Sequence, residues 1–415
     1  MTGQPQAGAS TAPAWIEAQQ IEAQQRDGRD PLSAFASGFA TDGAVHLNGN
    51  SLGPPRAGLA GELERVVHGQ WAPHQVHGWF KDGWLDLPRT VGDKLAAVLG
   101  AAPGQVVVAG ETTSTTLFNA LVAACRLRED RPVLLIEAAS FPTDLYIAGS
   151  VARLLGRRVV TASAEDFDSF LRENGAQVAA AVAAPVDFRT GERRGIGPTT
   201  ALCHAAGAIA VWDLSHATGV LPVDLDAHAV DLAVGCGYKY LGGGPGAPAF
   251  LYVPFRLQQA VDFPLSGWHG HARPFAMAPA FEPDSGIGRG RTGTPPLLSL
   301  VALGHALDPL LEVGVHALYS RSQDLSEFFL ECLERSRPDV LEQLVSPRDP
   351  DRRGGHLALR LPDAERIEEA LAARGVLVDS RPPDLIRFAF APLYVTHEQV
   401  RRAVHELGDV VKEAR

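Results

Sequence analysis

The chain has 415 residues, a formal charge of −11, 46% hydrophobic and 20% charged side chains. That balance excludes collagen-like and broadly disordered classes, and its acidity argues against a nucleic-acid surface or a polybasic membrane patch. The longest apolar runs, such as 178–185, fall far short of the roughly 18–20 residues that span a bilayer, and no basic-then-apolar secretion signal opens the chain. Four cysteines (Cys125, Cys203, Cys236, Cys332) stand far apart without any CxxC. Free thiols in a reducing, cytoplasmic compartment fit that spacing better than a disulfide frame.

Residues 1–30 are rich in Ala and Gln and carry IEAQQ twice in succession at 16–25. A five-residue period matches neither helix nor strand, so 1–44 is expected to be a short helical or partly ordered segment. Pro54-Pro55 is expected to open a helix with Leu59, Leu63 and Val66 on one face. From about 105 onward short apolar runs alternate with helical patterns. The predicted strands are 105–109, 133–137, 158–162, 178–184, 208–213, 231–236 and 247–253; helices are expected near 115–128, 143–156, 164–173 and 199–206. Several strands are apolar at consecutive positions, as strands covered on both faces should be. This alternation predicts an α/β fold with a large, mainly parallel α/β/α domain over 45–300. Beyond 300 the pattern changes to a long helix from Leu297 to about Arg335, a strand at 356–361, a helix near 363–374 and a strand at 385–390. A last helix starts at Thr396, with Gln399 placed for a capping box. Residues 301–415 thus read as a smaller C-terminal α+β domain, with 347–355 an exposed loop.

The chain has only four lysines: Lys81, Lys94, Lys239 and Lys412. Every other basic side chain, histidines aside, is Arg, so a Lys inside an apolar, Gly-rich stretch is a candidate for amine chemistry, which Arg cannot perform. Lys239 stands in such a stretch, DLAVGCGYKYLGGGPGAPAFLYV at 231–253. Leaving a buried strand, its amine would be desolvated and its neutral form available. The same segment by itself also reads as a surface lysine before a hairpin. In AIAVWDLSHATG (208–219) a strand delivers Asp213 at its C-terminal end, where ligands bind in open α/β sheets, with His216 three residues on. A carboxylate there can pair with a protonated ring nitrogen, the partner that pyridoxal 5′-phosphate (PLP) needs to act as an electron sink; a strand-end Asp capping a turn is the plainer alternative. Thr113 and Ser114 fall between a strand and a helix, where hydroxyls and free amides can hold a phosphate or simply cap the helix. Phe141 in ASFPTDLY follows another strand and could stack on a planar ring. Trp268 and Thr294 lie in Gly-rich loops. Arg387 is alone among apolar neighbours in LIRFAFAPLY, suited to capture a carboxylate or to form a buried ion pair. The paired histidines of HQVHGW and HGH are completed by no carboxylate or Cys set, so no metal site is expected, and no GxSxG elbow points to a hydrolase triad.

Taken in order, GNSLG, FPTDLY, WDLSHATG, YKYLGGGPG, SGWHGH and RFAFAPLY resemble kynureninases, fold-type I PLP enzymes of the aminotransferase class V group; the likeness runs from 46 to 394. The resemblance implies that Lys239 carries PLP covalently and acts as a catalytic base, with Tyr238 as a further acid–base group. It implies that Asp213 binds the ring nitrogen, Phe141 stacks on the ring, Asp144 and His216 contact the cofactor, and Thr113, Ser114 and Tyr238 hold its phosphate side. Trp268 and Thr294 are similar to residues that kynureninases contribute to the cofactor site across a dimer interface, which implies a homodimer with shared active sites. Arg387 resembles the anchor for the substrate α-carboxylate, and His74 a substrate-side histidine. The implied reaction is hydrolysis of L-kynurenine, or 3-hydroxykynurenine, to anthranilate, or 3-hydroxyanthranilate, and L-alanine in tryptophan catabolism. Three positions depart from the pattern: Ala184 where many relatives have Ser or Thr, Asn48 where Asp is commoner, and Thr294, which leaves the choice between kynurenine and its 3-hydroxy form open. The alternatives are another class V PLP enzyme, a cysteine desulfurase-like lyase or an aminotransferase, and a non-catalytic PLP-fold regulatory protein.

Overall fold

The computed structural model describes residues 14–110 and 112–414. Its centre is a seven-stranded sheet built from β1 (Val106–Gly110), β2 (Val133–Glu137), β3 (Arg158–Ala162), β4 (Val178–Ala183), β5 (Ile209–Asp213), β6 (Leu232–Gly235) and β7 (Ala249–Tyr252). Their spatial order is β1-β7-β6-β5-β4-β2-β3, with β7 antiparallel to both neighbours and the rest of the ladder parallel. All seven match the runs read from the sequence to within two residues at either end. The continuous apolar runs have the expected cause: every residue of β4, β5, β6 and β7 is buried, because helices cover both faces.

The helices lie between the strands in chain order. The N-terminal helix α1 is Ala14–Arg29, so the leader is helical from 14 onward and residues 1–13 lie outside the described residues. Helix α2 (Leu59–Val66) starts after Gly58 in the left-handed region (φ 83°), four residues beyond the prolines expected to open it. There follow α3 (Leu87–Val98), α4 (Thr113–Arg126), α5 (Pro142–Leu155), α6 (Ala164–Asn174) and α7 (Ile196–Ala205).

The long C-terminal helix is two helices, which corrects the single segment expected there. Helices α8 (Leu297–Val313) and α9 (Val315–Ser336) meet at Gly314 and bend by 84°. At φ 82° that residue needs glycine. The segment 347–355 is exposed only in its first part. Arg353 is fully buried and paired with Glu327, so the chain turns inward before His356. A second, antiparallel sheet consists of β8 (His356–Arg360), β9 (Asp379–Arg381) and β10 (Leu385–Ala389) in the order β9-β10-β8. Helices α10 (Ala364–Ala373) and α11 (His397–Glu413) pack beside it, and α11 opens with the expected capping box, Thr396 and Gln399 each bonding the other's backbone.

Two features join the sheets around the site. Val45 and His46 pair in parallel with Val376 and Leu377, which carries the following segment 47–53 along the second sheet. That segment ends against the lysine turn, where Gly53 donates to the Tyr238 carbonyl at 3.2 Å. A Cβ at Gly53 would stand 3.0 Å from the Lys239 carbonyl and 3.2 Å from Gly242 Cα, so the close approach leaves little room for any side chain.

Candidate active site

The parallel strands deliver their loops to one edge of the large sheet, and a cavity of about 560 Å³ opens there. β1 leads into Thr113 and Ser114 at the start of α4; β2 leads into Phe141 and Asp144; β5 ends at Asp213; and β6 leads into Tyr238 and Lys239. All of these line the one cavity, together with Ser51, Leu52, Ser215, His216, Cys236, Gly246 and Arg381. The physical cause is topological: in a parallel sheet every strand ends at the same edge, so residues far apart in sequence converge.

The electrostatics of the cavity oppose charge. Burial lowers the Lys239 amine below the ordinary lysine value, and the nearby Arg387 and Arg381 act in the same direction. Its Nζ lies 2.7 Å from Nε2 of His216. Burial and then the Lys239 charge hold His216 well below 6.5, so the imidazole is neutral and accepts from the amine. The other ring nitrogen, Nδ1, is buried with no partner among the described residues. Burial first and the Asp213 carboxylate second raise the Asp144 carboxyl well above its ordinary range. Asp213 is oriented by Ser215, whose N–H and Oγ both donate to Oδ1 at 3.0 and 2.6 Å. Burial also raises the Tyr238 phenol, so it keeps its proton and serves as a donor. Phe141 stands with its ring 5.9 Å from Lys239 Nζ and packs edge-on against Phe188.

This donor set fits PLP. A desolvated primary amine matches the aldehyde, and a strand-end carboxylate oriented by Ser215 matches a pyridinium nitrogen. At the start of α4 the cap role is already filled by Thr112, which accepts from Thr115 N–H. The Thr113 and Ser114 hydroxyls have no hydrogen-bond partner among the described residues and remain available for a phosphate at the helix N-terminus. The volume also falls within the range of small-molecule sites, roughly 300–1,000 Å³.

Four of the residues singled out from the sequence stand outside this cavity. Arg387 is fully buried and ion-paired with Asp379 just behind the cavity lining, close enough for its charge to act on His216 and Lys239. His74 bonds Asp82 at 2.8 Å. Trp268 packs in an aromatic cluster with Trp79, the buried His269 and Phe275, and Thr294 lines a separate cavity with His269 and Arg291. The structure adds residues that sequence reasoning missed: Ser51, Ser215, Cys236 and the pair Asp379–Arg381. One signal for Asp379 was present: it and Arg387 flank the Pro382-Pro383 turn, and the hairpin register sets them directly opposite each other.

The fold is that of the fold-type I PLP-dependent enzymes. Among solved structures, a cysteine desulfurase from Thermococcus onnurineus NA1 superposes with a TM-score of 0.78 at 15% identity, covering 93% of this chain and 99% of its own. The cysteine desulfurase CsdA of Escherichia coli gives 0.76 at 19% identity, over 93% and 98%. At such identity these likenesses concern the fold. Sequence relationships are closer. Residues 318–407 match the family model of the kynureninase C-terminal domain. A kynureninase of Deinococcus radiodurans is 41% identical over 93% of this chain and 95% of its own length. Those of Burkholderia pseudomallei and Pseudomonas fluorescens are 39% and 37% identical over 94% and 93% of the chain, and 95% and 94% of their own lengths. The chain belongs to the kynureninase family.

Proposed function

We propose that the protein hydrolyses the Cβ–Cγ bond of L-kynurenine to give anthranilate and L-alanine, with PLP held in the Lys239 cavity. The observation that carries this reading is the convergence of Lys239, Asp213, Thr113 and Ser114 on one cavity in a chain of this family. Lys239 would hold the cofactor covalently, Asp213 its ring nitrogen, Thr113 and Ser114 its phosphate, and Phe141, Asp144 and His216 its ring and substituents. When bound, the cofactor supplies an electron sink for the carbanion character that develops on Cα and Cβ of the substrate.

The chain's own groups then divide the work. The Lys239 amine, lowered by burial, gives up its proton more readily than an ordinary lysine and is suited to take the substrate Cα proton. His216, neutral and 2.7 Å away, holds that amine in place through Nε2. Tyr238, kept protonated by burial and lining the same cavity as the lysine, is suited to give a proton at the γ-carbonyl as water adds. Arg387, held in a charge cluster with Asp379 and Arg381, would anchor the substrate α-carboxylate.

The working division of the chain is a cofactor-binding domain over 45–300 and a small domain over 301–415, with 1–44 as an N-terminal segment. A homodimer with shared active sites extends this reading. Trp268, Thr294 and His74 would serve the cavity of a second copy, and the exposed aromatic surface around them supports it: Phe80 and Phe275 are 67% and 40% exposed with ring centroids 4.8 Å apart. A cytoplasmic setting is supported by four free, buried cysteines.

A desulfurase needs an accessible, reactive thiol. Cys332, the cysteine of the C-terminal region, is buried inside α9 and pushed up to about 12. The test is mass spectrometry of the products from L-kynurenine and 3-hydroxykynurenine side by side. Anthranilate and alanine are expected, and the ratio of the two rates assigns the preferred ring. Sulfide from cysteine without anthranilate from kynurenine would overturn the reading, and a chain that takes up PLP without turning over any amino acid would favour a regulatory role.

A further inference from the structure

Three neighbouring strands of the large sheet end beside a second, much smaller cavity of about 10 Å³. Strand β4 lies between β2 and β5 and is parallel to both. β2 runs on to Ser140, β4 to Ala184, and β5 to Asp213 and His216. All four residues line the small cavity, and Val186 and Phe188 help to close it. Because the middle strand contributes only a methyl group here, room is left between the residues of its two neighbours.

Two polar atoms of this lining, Ser140 Oγ and His216 Nδ1, have no hydrogen-bond partner among the described residues. Their residues are only 6% and 7% exposed, so bulk water does not satisfy them. His216 is neutral, held well below its ordinary value by burial and then by the Lys239 charge, and its Nε2 accepts from Lys239 Nζ at 2.7 Å. A neutral imidazole carries one proton, so with Nε2 accepting, the proton sits on Nδ1. That N–H points into a mostly apolar wall, and a buried donor left unpaired is costly. His356 packs with its ring centre 6.0 Å from that of His216 but does not line the cavity. One water needs roughly 10–15 Å³ and about two to four polar partners. The cavity has the volume, and Nδ1, Ser140 Oγ and the Asp213 carboxylate are the partners.

We propose that one bound water occupies this cavity and joins Ser140 to His216 Nδ1, which makes Ser140 a positioning residue for the Lys239 amine. The water accepts from Nδ1–H and donates to Ser140 Oγ and to Asp213. Held in this way, the ring keeps its other nitrogen free of a proton, and Nε2 continues to receive the amine. Without the water the proton is better placed on Nε2, which turns an acceptor for Lys239 into a competing donor. The water takes the place that a hydroxyl at position 184 would fill. The inference deepens the reading of the main cavity as a PLP site and rests on that reading for the role of the amine.

The experiment pairs two substitutions of equal size in the full chain, Ala184→Thr and Ala184→Val, with Ser140→Ala. Both fill the cavity, but only Ala184→Thr brings a hydroxyl. Crystal structures show ordered solvent, nitrogen-15 histidine NMR of the PLP-free chain shows which ring nitrogen of His216 is protonated, and visible absorption follows the rate of PLP uptake; kynurenine turnover is measured alongside. The wild type is expected to hold one ordered water within hydrogen-bond reach of both Ser140 Oγ and His216 Nδ1, with the proton on Nδ1. Ala184→Val is expected to expel the water, move the proton to Nε2 and lower the rate of PLP uptake and kcat by about 3- to 10-fold, the worth of one hydrogen bond, with KM within about twofold. Ala184→Thr is expected to recover most of that loss, and Ser140→Ala to shift part of the proton to Nε2 without filling the cavity. A dry cavity in the wild type, a proton on Nε2 there, or equal behaviour of Ala184→Val and Ala184→Thr overturns the proposal. Wild-type water and proton position in Ser140→Ala overturn the role given to Ser140. Both are read without turnover, so a chain that shows them and leaves kynurenine intact would sink the assigned reaction and not this link.

Discussion

The cavity around Lys239 and the seam where α1 docks on α9 and α11 use the same residue types to opposite ends. In the seam every buried charge finds a partner. His397 is clamped between Asp27 at 2.9 Å and Asp324 at 2.7 Å, and Arg26 bridges Glu22 and Glu331 at 2.8 and 2.7 Å. Burial opposes the charge on His397, but the two aspartates outweigh it and raise the imidazole, while its bonds hold Asp27 and Asp324 low. In the cavity the shifts run the other way: lysine and histidine are lowered and Asp144 is raised, each chiefly by burial. One His216 nitrogen also goes without a partner among the described residues. Paired burial favours charge and stabilises; unpaired burial favours neutrality, which leaves an amine and an imidazole ready to bind and to move protons.

The comparison can be broken most sharply at Lys239. Lys239→Arg keeps the positive charge and removes the amine chemistry, and anthranilate formation is expected to fall by about 10³-fold or more. Normal turnover in that variant would remove the basis for the assignment. Asp213→Asn keeps the shape and deletes the carboxylate; a loss of about 10²-fold in kcat is expected, together with weaker PLP retention on dialysis. The seam predicts a different signature. His397→Ala is expected to cost about 2 kcal/mol of stability, as a buried hydrogen-bonded group is lost, with kcat unchanged in the folded protein; urea denaturation and steady-state assays separate the two.

The seam also carries a pH signature. His397 is raised in the folded protein, so its contribution is full below the ordinary histidine value of 6.5 and is lost as pH climbs through its higher folded value. Asp27 and Asp324 are lowered, so theirs is full above the ordinary value of 3.8 and fails as pH falls through the lower folded values. The seam is therefore tightest between these limits, and His397→Ala should flatten the alkaline side of a plot of melting temperature against pH. The smallest expected effect is at Ala184, which lines a small void with Phe141, Asp213 and His216 beside the buried Ser140 hydroxyl, which has no partner among the described residues. Ala184→Ser should tighten PLP binding by about 1 kcal/mol, roughly fivefold, in a fluorescence titration of the apoenzyme. An unchanged affinity there would mean that the missing hydroxyl had no energetic role.

What the sequence by itself determined is local and periodic. Runs buried on both faces marked the seven strands, and the Thr396–Gln399 box marked the start of α11. Lysine scarcity drew attention to Lys239, and motif order led to the family. These features were legible because strand burial, capping and amine chemistry each depend on a few neighbouring residues. The tertiary structure decided the rest. Gly314 reads as an ordinary glycine in a helical run until its backbone adopts φ 82° and turns the chain by 84°. Arg387 reads as alone among apolar neighbours until the hairpin register sets Asp379 against it. Charge balance in a desolvated cluster depends on which groups meet in space, and in this chain Ser51 and Asp379 meet across 328 positions.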